Sequence, residues 1–351
     1  MENPVSDRIE LIGAPGSPYT RKMLALMRYR QIAYKVFWQG NITSNEPAAK
    51  YPKAKVGLLP TFYFPDDKGE LQALTDSSPI LRRFEETHAG RSVIPNDPIL
   101  AFLNWLVEDY ADEWLTKAMF HYRWHYAADI EKAGSILPRW YATGASDAEI
   151  APLSKMISER QISRLSYVGS NAVTKETIEN SFQRFLEAFN AHLQVSNYMF
   201  GARPASADFA IYGQLTQLAL FDPTPSRIIT EKFPRIYAWT EAMEDLSGLP
   251  VAEDDSDWLN SEAIGASLVA LMQEIASLYL PYLKANAQAV MAGDGVMETE
   301  LDGRAWSQNP FPYQAKCLAW IGEQYEALSD TDKARLAKAV EGSGLIDALE
   351  N

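Results

Sequence analysis

Residues 16–22, Gly-Ser-Pro-Tyr-Thr-Arg-Lys, set a serine hydroxyl directly before a proline and ahead of the apolar run Met23–Met27. Serine at the N-cap with proline at the first helical position is a common helix start. The unpaired N–H groups of a helix N-terminus also favour anions. Ser17 can therefore cap a helix and donate a hydrogen bond to an anion resting there. For a thiol the gain is large. An ordinary thiol of pKa about 8.5 is about 3% ionised at pH 7, and a shift of about two units, worth about 2.7 kcal/mol, makes it mostly thiolate. Tyr19, inside the first turn of the same helix, carries the competing hydroxyl.

Further along, Leu59-Pro60 precedes the apolar run Thr61–Phe64. Asp76-Ser77 precedes a helical pattern and reads either as a cap or as a pair of ligands for a charged group. Lys53 and Lys55 lie in a polar loop, within reach of a carboxylate or simply solvated. In the aromatic segment that follows, Tyr110, Trp114, Lys117, His121 and His125 share roughly one helical face. His121-x-x-x-His125, with Asp129 a turn later, has metal-ligand spacing. Neither an HExxH pattern nor paired cysteines accompany it, so no metal is expected.

These residues need elements to position them. Residues 8–14 alternate as a strand, residues 17–31 read as a helix, and residues 33–38 as a second strand, followed by an irregular stretch over 39–55. Two apolar runs separated by the turn-rich Pro65–Gly69 form a hairpin, and residues 76–90 turn helical. The order is β-α-β-loop-β-β-α. After a Pro-containing linker, residues 98–249 are almost wholly helix-periodic. Residues 250–351 add a long helix pattern ending near Pro281, a polar stretch, and further helices around a dense cluster, Trp306, Gln308, Tyr313, Gln314 and Lys316. That cluster reads as a segment covering the cleft or, more simply, as a turn packed on the helices.

Composition limits the function classes. The chain has 351 residues, 47% hydrophobic and 22% charged, which is globular and too long for one small core. The net charge is −14, unevenly spread: residues 1–92 hold 13 Lys+Arg against 10 Asp+Glu, and the remainder 19 against 36. So acidic a surface argues against nucleic acid. No signal-peptide pattern opens the chain and no apolar run reads as a membrane span. The lone cysteine, Cys317, fits a reducing compartment, the cytoplasm.

The motifs in this order resemble the cytosolic glutathione S-transferase superfamily, in its serine-type, bacterial-like form. Ser17-Pro18-Tyr19 resembles the serine-type catalytic segment, Leu59-Pro60 the cis-proline turn, and Asp76-Ser77 the acidic-Ser pair that holds the γ-glutamyl end of glutathione. Residues 199–215 and 233–243 resemble the later turn-and-helix and FPxxxxW-type segments. Ala205 stands where the family's capping hydroxyl is usual, and the hairpin between Pro60 and Asp76 is longer than the usual one. The resemblance covers roughly residues 8–249.

It implies a thioredoxin-like α/β domain (βαβ-ββα) over 1–92, an all-α helical domain over 98–249, and an additional helical extension over 250–351. The implied activity is conjugation of glutathione, bound as co-substrate, to a small apolar electrophile, with peroxidase or reductive chemistry possible on the same site. Ser17 would be the thiolate donor, with Tyr19 its rival. Leu59, Pro60, Asp76, Ser77 and Lys55 would bind glutathione, and Tyr110, Trp114, Lys117 and His121 would line the co-substrate pocket. A cytoplasmic homodimer is implied. A non-catalytic binding or scaffold protein that kept the fold is the alternative.

Overall fold

The computed structural model describes residues 8–38 and 51–351. Residues 1–7, and the 39–50 part of the stretch expected to be irregular, lie outside the described residues. Strands β1 (Ile9–Gly13), β2 (Tyr34–Trp38), β3 (Thr61–Pro65) and β4 (Leu71–Leu74) form one sheet in the order β2-β1-β3-β4. β1 runs parallel to β2 and antiparallel to β3, and β4 returns antiparallel beside β3. Helix α1 (Pro18–Tyr29) makes the crossover between the parallel pair, and α2 (Ser77–Thr87) follows β4. Their apolar faces close a core on the sheet around Leu11, Met23, Leu26, Phe62, Ile80 and Phe84. This is a thioredoxin-like domain.

Helices then dominate: α3 (Pro98–Tyr110), α4 (Thr116–His125), α5 (Ala127–Tyr141), α6 (Asp147–Ile162), α7 (Lys175–His192), α8 (Ser206–Leu218), α9 (Pro223–Lys232) and α10 (Pro234–Ala242). A π turn, Ala111–Leu115, joins α3 to α4 without a break. Helix α8 is the buried axis of the helical region, and it packs closely against α1. Gly213 permits that approach: a Cβ there would lie 2.6 Å from the Pro18 carbonyl oxygen. Ala205 has no capping oxygen. Instead Asn104 Oδ1 accepts the Ala207 N–H at 3.0 Å, and Asp208 reaches back to the N–H groups of Ala205 (2.8 Å) and Met199 (2.9 Å). Two side chains thus do the work of the missing hydroxyl.

The C-terminal region comprises α11 (Ala266–Glu274), α12 (Leu280–Ala292), a hairpin of β5 (Met297–Leu301) and β6 (Arg304–Gln308), then α13 (Pro312–Glu326), α14 (Asp330–Ala339) and α15 (Leu345–Glu350). The helix expected to end near Pro281 continues to Ala292. A second π turn, Ile275–Tyr279, precedes the proline, which falls in the first turn of α12, where the missing N–H and the ring are accommodated. The continuous stretch Ala266–Ala292 is long and apolar enough to cross a membrane, contrary to the sequence reading, and 61% of its apolar window is buried inside the chain. The polar stretch resolves into the β5–β6 hairpin, so the region is not purely helical. Leu271, Tyr282, Trp306, Ile321 and Leu336 belong to the same continuous core as Leu103, Tyr110 and Phe185.

Candidate functional site

Ser17 sits at the N-cap of α1 with extended backbone, and its hydroxyl accepts the Thr20 N–H at 3.2 Å. The same hydroxyl donates to the carbonyl of Leu59 at 3.2 Å. The Leu59–Pro60 bond is cis. A helix N-terminus and the chain entering β3, 42 positions apart, therefore meet at one hydroxyl.

Leu59 and Pro60 form part of the wall of a cavity of about 670 Å³, a size suited to small molecules. Asp76, Ser77 and Ser78 at the start of α2 add a second wall. Asp76 has φ +85° and caps nothing with its side chain. A non-glycine residue held there costs on the order of 1–3 kcal/mol, a strain that clusters at functional sites. Its carboxylate instead accepts a hydrogen bond from the Tyr313 hydroxyl of α13 at 2.8 Å.

The third wall is one face of α3 and its π turn: Trp105, Glu108, Asp109, Asp112, Glu113 and Thr116. Spacings of three and four keep these residues on one side of the helix, and π turns recur at functional sites. Beneath them lies a buried charge network. Lys22, 1% exposed, gives its ammonium to Glu108 Oε1 (2.8 Å) and Asp112 Oδ2 (2.5 Å). Glu108 also receives Arg82 (2.7 Å), Ser78 (2.8 Å) and Ser206 (2.7 Å). Although burial opposes ionisation of Glu108, its cationic neighbours Arg82 and Lys22 prevail and hold it well below the usual carboxylate range.

The neighbouring acids behave oppositely. Burial, reinforced by the other carboxylates, pushes Asp109 up to about 7 and Glu113 up to about 8. Asp112 rises to about 6, burial outweighing the pull of Lys22. Glu113 Oε2 accepts from Gln314 at 2.9 Å, and Asp109 accepts from the Tyr279 hydroxyl. Residues 311–324 of the C-terminal region close the cavity with Phe311, Tyr313, Gln314, Trp320, Glu323 and Gln324. Of the cluster singled out in the sequence, Tyr313 and Gln314 cover the cleft, while Trp306 and Gln308 are buried against Trp114 and Lys117, so the two readings divide it between them.

Two family models match the chain: the glutathione S-transferase N-terminal domain over residues 11–92 and the glutathione S-transferase C-terminal domain over residues 156–246. The chain belongs to the glutathione S-transferase superfamily. Solved structures similar to it include a GST-like protein from Pseudomonas syringae, at 14% identity, covering 68% of this chain and 66% of that one, just under two thirds, with a TM-score of 0.42. A glutathione S-transferase from Methylobacterium radiotolerans in complex with glutathione sulfonate shares 16% identity, covering 72% and 100% of the two chains, with a TM-score of 0.38. A Pseudomonas putida glutathione transferase with glutathione disulfide bound shares 14%, covering 71% and 94%, with a TM-score of 0.39. No curated protein sequence matches the chain significantly.

The glutathione S-transferase resemblance assigned eleven residues, and the structure divides them. Tyr19, Leu59, Pro60, Asp76, Ser77 and Lys117 line the cavity. Ser17 is half-buried just behind Leu59 and is not itself a lining residue. Tyr19 donates its hydroxyl to the Asp112 carbonyl at 2.7 Å, and burial keeps its pKa well above the ordinary value. Lys55 is exposed and outside the lining.

Tyr110, Trp114 and His121 are core, not wall. Residues expected to face an open cleft are covered by the C-terminal region: Tyr279 packs edge-on to Tyr110, and Tyr282 and Trp306 pack on Trp114. His121 is fully buried between Ser170 (2.7 Å) and Glu179 (3.0 Å). Among the described residues, no group of three or more His, Cys, Asp or Glu is arranged to hold a metal. Lys117 lies 4.2 Å from the Tyr282 ring centroid and donates to the Tyr282 hydroxyl (3.0 Å), Gln308 Oε1 (3.2 Å) and the Val168 carbonyl (3.3 Å). Burial pulls its pKa down to about 7.

Glu108, Asp109, Asp112 and Glu113 belong to none of the motifs that mark the site in the sequence. Two adjacent acids repeated four residues later, Glu-Asp then Asp-Glu, were the available signal for an acidic helix face.

Proposed function

We propose that this chain binds glutathione along Leu59 and the start of α2, with the sulfur at the N-terminus of α1, and transfers it to a small apolar electrophile. The observation that carries the reading is the 3.2 Å hydrogen bond from Ser17 Oγ to the Leu59 carbonyl. It sets the capping hydroxyl beside the backbone edge on which an extended tripeptide can pair. A peptide N–H arriving at the Leu59 carbonyl replaces the serine hydroxyl as its donor, and the hydroxyl turns to the sulfur. The α1 N-terminus and this hydrogen bond then favour thiolate over thiol. The thiol proton leaves to solvent. The sulfur lone pair forms the S–C bond, and the displaced pair goes to the leaving group or into an activated double bond.

Ser77, 7% exposed at the N-terminus of α2, binds the γ-glutamyl carboxylate, and Asp76 takes the ammonium. In this reading the protein works as a cytoplasmic homodimer, as its family resemblance implies. The non-catalytic alternative is favoured by one observation, the Tyr313 hydroxyl already on Asp76. Calorimetric titration with glutathione separates the two, followed by thiolate ultraviolet absorbance in the complex. Saturable binding with thiolate absorbance lost in Ser17→Ala supports the transferase, and the absence of binding rejects it.

A further inference from the structure

Ser17 follows the short turn that leaves β1, Ala14-Pro15-Gly16, and each carbonyl of that turn has a partner. The Ala14 carbonyl accepts the Ser17 N–H at 3.0 Å. The Pro15 carbonyl accepts Arg21 Nε at 3.1 Å and, from α8, Gln217 Nε2 at 3.4 Å. The Gly16 carbonyl accepts Arg123 Nη1 of α4 at 3.2 Å. Gly16 also lies against Trp140 of α5, where a Cβ would come within 2.5 Å of the indole. Helices α4, α5 and α8 thus seat the turn at the residue immediately before the capping serine.

Arg123 is the fixed point of this seat. It is 3% exposed, and its guanidinium lies 4.9 Å from the centroid of the Phe221 ring. Nε donates to both Asp222 oxygens at 2.9 and 3.1 Å, and Nη2 to Asp222 Oδ2 at 2.9 Å and Gln217 Oε1 at 2.7 Å. Asp222 is fully buried, makes no side-chain cap for α9, and serves the guanidinium instead. The ion pair needs only Nε and Nη2. A planar fork fixed at two corners has its third corner fixed as well, and that corner, Nη1, meets the Gly16 carbonyl. The tolerance beyond it is small. Both hydrogen bonds of the Ser17 hydroxyl are 3.2 Å long, so a displacement of about 0.5 Å breaks them.

We propose that Arg123 is the positioning residue of Ser17. Clamped by Asp222 and Gln217, its guanidinium holds the Gly16 carbonyl and so sets where the capping hydroxyl and the N-terminus of α1 meet the sulfur. The inference rests on the glutathione reading above. Arg123 is not a lining residue of the cavity and acts only through the turn. Its charge is spent on Asp222, so what it supplies is geometry. When the clamp is lost, the turn shifts, the hydrogen bond from Ser17 to the thiolate lengthens, and the thiol keeps its proton. The peptide contacts at Leu59 and Ser77 belong to other elements and stay. That asymmetry separates positioning from general support of the fold.

The test uses two ligands on the full chain. Ultraviolet absorbance of bound glutathione against pH gives the thiol pKa in the complex. S-methylglutathione has no thiol to ionise, so its dissociation constant, measured by calorimetry, reports the peptide contacts alone. Arg123→Lys keeps the charge and loses the fork. Arg123→Met combined with Asp222→Leu removes the pair as a unit, an exchange that buried ion pairs often tolerate, and it serves if the lysine variant unfolds. In both proteins the thiol pKa of bound glutathione should rise by about one unit, a roughly tenfold loss of thiolate below that pKa. The S-methylglutathione dissociation constant should stay within about twofold of the wild type. An unchanged thiol pKa in the double variant overturns the proposal and leaves Arg123 as a buried ion pair only. A weakening of S-methylglutathione as large as the loss of thiolate overturns it too, because Arg123 would then support the whole site. A wild type that fails to bind glutathione, or binds it without thiolate absorbance, defeats the transferase reading and this proposal with it, a result reached before any variant is made.

Discussion

The Tyr313 hydroxyl donates to Asp76 Oδ2 at 2.8 Å, joining residues 237 positions apart across the cavity. This bond ties the C-terminal region to the carboxylate that would hold the ammonium of glutathione. Tyr313→Phe removes the donor and keeps the ring that packs edge-on to Trp320. With a hydrogen bond to a charged group worth about 1.5–3 kcal/mol, and a carboxylate able to accept several donors, glutathione should bind roughly three- to tenfold more tightly to the variant. Titration of both proteins checks this. Unchanged affinity would place the ammonium elsewhere.

Ser17 has two separable duties. Ser17→Ala loses the cap to the Thr20 N–H and should cost about 1 kcal/mol of stability as well as the donor to sulfur. Ser17→Asp retains a good capping acceptor but presents a carboxylate to the thiolate. Chemical denaturation should find Ser17→Asp close to the wild type, while glutathione-thiolate absorbance is lost in both variants. Retained absorbance in Ser17→Asp would transfer the role to the helix terminus alone.

Lys22 balances two buried carboxylates at once, Glu108 at 2.8 Å and Asp112 at 2.5 Å. Removing one member of a buried ion pair strands the remaining charge, typically at about 3–5 kcal/mol. Lys22→Met should therefore lower the unfolding free energy by that amount. Adding Asp112→Asn to it should restore part of the loss, because Glu108 keeps Arg82 and no carboxylate of the network then lacks a cation. Additive losses in the double variant would contradict the shared-charge account.

Local signals carried the N-terminal half of the fold because its elements are locally specified. Alternation set the strands, Ser17-Pro18 set the start of α1, and Pro65–Gly69 set the hairpin turn. The C-terminal region was harder because its determinants are tertiary. The β5–β6 hairpin did carry a readable turn, Asp302-Gly303, both with positive φ between alternating strands. Its outward-facing Glu298 and Glu300 made the segment look merely polar. Pro281 reads as a helix end unless a π turn precedes it, and sequence spacing does not announce one. The site divided similarly. Ser17, Leu59 and Ser77 are positioned by their own elements and were legible. Tyr110, Trp114 and His121 have the spacing of a pocket wall, but Tyr279, Tyr282 and Trp306 arrive from far along the chain to bury two of them. The left-handed backbone of Asp76 has no glycine to signal it.

The acidic wall also sets a pH dependence of stability. Glu113 is raised from 4.5 to about 8 and Asp109 from 3.8 to about 7, burial being the main cause in each. Between about pH 4 and 8 the folded chain therefore holds protons at these two groups that the unfolded chain releases. Their contribution to stability is complete below about pH 4 and declines as pH rises through this window. Lys117, lowered from 10.5 to about 7 by burial, acts in the opposite sense and only from about pH 7 to 10.5, where stability recovers with rising pH. Glu113→Gln keeps an oxygen for the Gln314 donor and removes the titration. The variant should match the wild type near pH 5 and exceed it at pH 8 by on the order of 2 kcal/mol after solvent screening, roughly 4 °C in thermal midpoint for a chain of this length. Thermal unfolding in steps from pH 5 to pH 8 measures the divergence. Parallel curves for the two proteins would show that Glu113 is already ionised in the folded chain across that range.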